Sequence, residues 1–157
     1  MADLLAVSDG LVFVEDGMFC MIDASAPGHA AHWSPPAPPG GLVIVGAALG
    51  LATFISGFQD NEPYVRLEYW SARPPEPDGA WEATFRSQLQ VPGGTLTLAS
   101  GVSMLGSSHE LALPPGDYHL AVWCRGRASL LAGARDAIDA GVYQRGVEQW
   151  LIRLWAA

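Results

Sequence analysis

Residues Tyr118–Arg125 read YHLAVWCR, eight residues in which Tyr118, Leu120, Val122 and Cys124 alternate with His119, Ala121, Trp123 and Arg125. Successive side chains of a strand point to opposite faces, so this period of two predicts a strand with the first set turned to the core. Immediately before it, Pro114-Pro115-Gly116-Asp117 is turn chemistry, with Gly116 a candidate for positive φ.

The same pattern recurs outward along the chain. In Tyr64–Trp70, Val65, Leu67 and Tyr69 share one face, opposite Arg66 and Glu68. Trp81, Ala83 and Phe85 alternate with Glu82, Thr84 and Arg86, and Val147–Trp155 puts Trp150, Ile152 and Leu154 together. This phasing assigns Trp81 and Trp150 to the core, and leaves Trp70 and Trp123 for the second face of a sheet. Leu89–Val91, Thr95–Ala99 and Glu110–Leu113 add short strands. At the start, Leu4–Ser8, Leu11–Glu15 and Met18–Ile22 are divided by Asp9-Gly10 and Asp16-Gly17, which predicts two hairpin turns. Only Ala128–Ala140 predicts a helix. Strands at this spacing, separated by turn residues, predict an all-β fold: an antiparallel β-sandwich with one short helix near the C-terminus, in a single domain over 1–157.

Two stretches break the pattern. From Asp23 to Gly41 the chain holds His29, His32, Trp33 and prolines at 35, 36, 38 and 39, which cannot continue a sheet interior; a long Pro-rich loop is expected. Gly40–Phe58 is an uncharged stretch of membrane-spanning length containing Gly46-Ala-Ala-Leu-Gly50. Its glycines weaken a helix, no arginine flanks it, and it divides into the strand-length pieces Leu42–Val45 and Leu51–Ser56. Two buried strands are expected, not a membrane span.

Composition limits function. The 157 residues are 50% hydrophobic and 15% charged, which excludes a disordered chain. Eight basic residues, all arginine, against sixteen acidic ones give a net charge of −8, unsuited to general nucleic-acid binding. Met1-Ala2-Asp3-Leu4 carries no basic leader region, so a cytoplasmic protein is expected. Cys20 and Cys124 lie in apolar runs and read as buried thiols.

No catalytic constellation emerges. His29-Ala-Ala-His32 lacks the third and fourth ligands of a zinc site, so no metal is expected. Ser107, His109 and Glu110 are near neighbours, but without a nucleophile elbow or an oxyanion hole they read as a polar turn. Gly46 and Gly50 lack the lysine and hydroxyl of a phosphate loop. No cofactor is implied.

Leu89–Arg127 reads LQVPGGTLTLASGVSMLGSSHELALPPGDYHLAVWCRGR. Through Val91, Pro92, Leu113, Pro114, Gly116, Asp117, Tyr118, Leu120 and Trp123 it resembles the competence protein J family of small bacterial nuclease inhibitors. A weaker echo spans Gly50–Leu67, while the 23–41 loop and the Val147–Trp155 strand have no counterpart. The resemblance implies a non-enzymatic inhibitor or immunity-type protein that blocks a basic partner, such as a nuclease toxin. Charge suggests partner-binding residues Asp60, Glu62, Glu68, Asp78 and Glu82, with Trp33 in the loop. The alternatives are a small-ligand or carbohydrate-binding sandwich using exposed tryptophans, or a structural accessory domain. Whether the chain forms a homodimer is left open.

Overall fold

The computed structural model describes residues 1–23, 25, 43–46, 50–100 and 109–157. Among these residues, ten strands form two five-stranded sheets. The first, in the order β1-β5-β10-β9-β6, comprises β1 (Leu4–Leu11), β5 (Asn61–Trp70), β10 (Gln144–Ala156), β9 (Gly116–Arg125) and β6 (Ala83–Val91). The second, in the order β3-β4-β2-β7-β8, comprises β3 (Val43–Gly46), β4 (Leu51–Ile55), β2 (Met18–Asp23), β7 (Thr95–Ser100) and β8 (His109–Ala112). One helix, α1 (Arg127–Ala140), connects β9 to β10. The fold is therefore mainly β, with a single short helix near the C-terminus among the described residues. Neighbouring strands run antiparallel with one exception: β10 lies parallel to β5, with Ile152 opposite Leu67.

The alternation dictates the layers. Val65 and Leu67, Leu120, Val122 and Cys124, and Trp150, Ile152 and Leu154 point inward from the first sheet. Phe19 and Met21, Ala52 and Phe54, and Leu96 and Leu98 meet them from the second. Trp150 joins the layers: its indole stands edge-on to Phe19 at 5.3 Å and to Phe54 at 5.7 Å, and the two phenyl rings stack at 4.8 Å. Offset and edge-on geometries suit the aromatic quadrupole.

Several expectations change. Asp9-Gly10 is not a turn, because β1 runs straight through it alongside β5. Gly10 has φ +154°, and a Cβ there would lie 2.3 Å from the His109 ring; the glycine allows close approach, not reversal. Asp16-Gly17 is the turn expected, with φ 50° and 76°. Gly116 is not among the positive-φ residues. Trp81 precedes β6 and leaves the inter-sheet core for a second cluster with Ala121, Trp123, Leu151 and Trp155. Cys20 and Cys124 are both buried and free. The 43–46 and 51–55 strands replace a membrane span, and no described helix is long and apolar enough to cross one. Trp33, His29, His32 and nearly all of the 23–41 loop lie outside the described residues, as does Ser107.

Candidate functional site

Two surfaces take up the proposed partner-binding carboxylates. The first is the outer face of the β1-β5-β10-β9-β6 sheet. Residues out of phase with the core project there: Arg66, Glu68 and Trp70 from β5, Leu151, Arg153 and Trp155 from β10, and Ala121, Trp123 and Arg125 from β9. Register sets Arg153 directly opposite Glu68. Glu68 is consequently not an exposed carboxylate. Its side chain is 5% exposed and accepts bonds from Arg66 Nε at 2.6 Å, Arg153 Nε at 2.7 Å and Trp70 Nε1 at 2.8 Å. Burial raises its pKa, but the hydrogen bonds from Arg66, Trp70 and Arg153 outweigh that and hold the carboxyl below its ordinary value.

Arginine and tryptophan alternate across this face. The Arg153 guanidinium lies 5.3 Å from the Trp70 ring centre and 5.5 Å from that of Trp123, and Arg86 sits 5.8 Å from Trp123. Arg125 covers Trp81 at 4.7 Å. The proline-rich segment 71–82 is strapped over the sheet by Arg153 Nη1 donating to Pro75 O at 2.7 Å and by the Arg86–Glu76 ion pair at 2.5 Å. Asp78 is exposed on this strap, and its carbonyl accepts from Trp81 Nε1 at 3.2 Å. Glu82 has a structural task. Its carboxylate accepts from Gly126 N at 2.7 Å and Arg127 N at 3.1 Å, capping α1 from outside the helix. Gly126 cannot supply a side-chain cap, since a Cβ there would meet Val147 O at 2.0 Å.

The second surface lies at the C-terminal end of α1. Six residue steps along β5 separate Glu62 from Glu68, about 20 Å along a strand. Glu62 is half-buried and paired with Arg145 at 2.9 Å. Asp60 is exposed and borders a depression of about 320 Å³ lined by Phe58, Ile138, Val142 and Tyr143. Ile138 is 64% exposed, Val142 60% and Tyr143 52%, and Phe13 stands edge-on to Tyr143 at 5.3 Å. Asp60 lines this apolar ground, Asp16 is reached through Gln59, and Asp136 and Asp139 are exposed near the C-terminal end of α1. Among the described residues no ion pair joins any of these four aspartates to an arginine. Arg135 is the basic residue nearest to them in the helix.

The five carboxylates thus form no single patch: Glu68, Asp78 and Glu82 belong to the sheet face, Asp60 and Glu62 to the helix end. Strand alternation identified the faces but not the ion pairs that bury Glu68. Leu131 and Ile138, seven residues apart on α1, are exposed on one side of the helix, and Val142, just beyond its end, is exposed as well. No cluster of metal-ligating side chains occurs among the described residues.

A sandwich of two sheets, with a parallel β5–β10 pair inside the first and α1 before the last strand, is similar to known proteins along its whole length. The protein described as "Crocagin biosynthetic gene J" superposes with a TM-score of 0.64 at 16% identity, covering 99% of this chain and 98% of its own. ComJ from Bacillus subtilis, an inhibitor of the DNA degrading activity of NucA, does so with a TM-score of 0.61 at 14% identity, covering 100% and 99%. The fold expected from the C-terminal resemblance therefore holds at full length. No family model matches the sequence, and no curated protein does.

Proposed function

We propose that this protein is a non-enzymatic inhibitor that binds a nuclease, working in the cytoplasm as a single domain. The observation that carries the reading is the full-length likeness to ComJ, an inhibitor of the DNA degrading activity of NucA. Composition supports it, since a chain of charge −8 attracts a basic protein and repels DNA itself.

The docking surface that best fits such a partner is the end of α1. Ile138, Val142 and Tyr143 supply area that would be desolvated on binding, and Asp60 beside it, Asp16 behind Gln59, and Asp136 and Asp139 near the C-terminal end of α1 supply unpaired charge. A second copy of this chain fits poorly, because it would oppose aspartates with aspartates. The aspartates steer the encounter and the apolar centre slows dissociation. Neither step requires a reaction catalysed by this chain.

The test is a DNA-degradation assay with purified nucleases encoded beside this gene, each titrated with the protein. Stoichiometric loss of degradation by at least one is expected, and full activity of every nuclease at excess protein would overturn the reading. With an inhibited nuclease, Ile138→Lys should weaken binding by about a hundredfold if the anchor is central. Asp60→Asn with Asp139→Asn should slow association by about tenfold at low salt, and less as salt screens the charge. Unchanged affinity and rates in both variants would remove the helix end as the interface while leaving inhibition standing.

A further inference from the structure

The strap and the outer sheet face enclose a separate depression of about 300 Å³, lined by Tyr64, Arg66, Trp81, Arg125, Arg153 and Asp78, with Glu68 at its base. We propose that it binds a small anion borne on a flat ring, the anion held by Arg125 and Arg153 and the ring by the aromatic walls Tyr64 and Trp81. This inference does not rest on the nuclease reading.

Charge is the first argument. Three guanidiniums line the depression against two carboxylates, in a molecule where acids outnumber bases two to one. The oxygens of Glu68 are already taken by Arg66, Arg153 and Trp70, and Arg66 also bonds Asp9 at 3.1 Å. Arg125 is different. Its Nε donates to Gln149 Oε1 at 2.9 Å and its plane covers Trp81, yet it has no carboxylate partner among the described residues. The guanidinium is oriented before any ligand arrives, and its terminal Nη groups remain to form the two-pronged bond that suits a carboxylate or phosphate.

Space is the second argument. Gly79, at φ +100°, sits where a Cβ would come within 3.2 Å of Arg125 Nη1, so the strap turns beside the guanidinium without a side chain pressing on it. The walls are aromatic on both sides: Tyr64 from β5, Trp81 from the end of the strap. A volume of about 300 Å³ is at the small end of ligand pockets and suits one ring system with one anionic group. Aryl carboxylates and nucleoside monophosphates share that chemistry.

The experiment is calorimetric titration of the intact protein with benzoate and, separately, with adenosine 5′-monophosphate, using adenosine and inorganic phosphate as the halves. At least one ring-bearing anion should bind with a Kd below about 1 mM, and about tenfold more tightly than either a ring or an anion alone. Benzoate alone would mark an aryl carboxylate site, and the monophosphate alone a nucleotide site. Arg125→Gln should weaken binding about tenfold or more with its melting temperature retained, and Arg125→Lys should recover only part of the loss. Arg145→Gln, at the far end of β10, should change nothing. The proposal is overturned if neither ring-bearing anion binds by about 10 mM, if phosphate binds as tightly as they do, or if folded Arg125→Gln binds like the wild type.

Discussion

Glu68 shows how one side chain organises a whole face. Two arginines from different strands and an indole converge on it, so removing its charge leaves Arg153 with no anionic partner in a nearly buried position. Glu68→Gln should cost about 3 kcal/mol in urea unfolding, most of it from the stranded Arg153. Glu68 and Asp23 are both held below the ordinary carboxylate range. At Asp23, too, burial raises the pKa and is outweighed, here by hydrogen bonds from Gly93 and Ser25. A depressed folded pKa contributes stability that is present above the unfolded value of about 4 and is lost as pH falls through the folded one. Melting temperatures should therefore drop between about pH 5 and pH 3, with a shallower drop in Glu68→Gln. A parallel loss in variant and wild type would remove Glu68 from the acid response. At the core, Leu120→Ala should cost about 2–5 kcal/mol. His119→Ala, which loses only its stack on Trp155 at 5.3 Å, should cost about 1 kcal/mol. Alternation was enough to read Leu120 and Trp150; it could not reveal the burial of Glu68, whose partner on β10, Arg153, lies 85 residues away.

At the scale of elements, sequence periodicity located nearly every strand and the helix, because each half-buried strand must repeat every second residue. It failed where one residue type serves two purposes. Asp9-Gly10 carries hairpin chemistry, yet Gly10 is required by the neighbouring imidazole of His109 and the strand continues. Gly10→Ala should accordingly destabilise the protein by about 2 kcal/mol or more, since the substituent meets the ring at a φ that L-residues rarely adopt. Gly17→Ala should cost about 1 kcal/mol, because its turn also has positive φ but nothing lies within 4 Å of the added methyl. Differential scanning calorimetry of both variants checks the order; a greater loss at Gly17 would contradict the close-approach account. Trp81 was placed in the core because its phase matched Ala83 and Phe85, but it precedes the strand, where phase no longer governs direction.

For the whole molecule, the sandwich was legible from strand spacing, whereas the parallel β5–β10 pair was not, since nothing local distinguishes a parallel partner. The distribution of charge was hidden too: Arg66, Arg86, Arg125 and Arg153 gather on one sheet face, while four aspartates stay unpaired near the helix end. Both thiols are sealed inside. Burial pushes the Cys20 and Cys124 thiols up, in Cys124 with Glu148 adding to the effect. An aromatic disulfide reagent should therefore leave both unmodified in the native protein and label both after denaturation. Rapid native labelling of either would mean that the sheets open locally.

The place of β10 has a consequence for synthesis. This strand fills the middle of its sheet, between β5 and β9, yet it leaves the ribosome after the other four strands of that sheet. Until it emerges, β5 and β9 each expose an unpaired edge, and the core lacks Trp150, Ile152 and Leu154. The nascent chain must wait with these edges open, exposed to holdases and proteases, and the sandwich can close only in a late, concerted step.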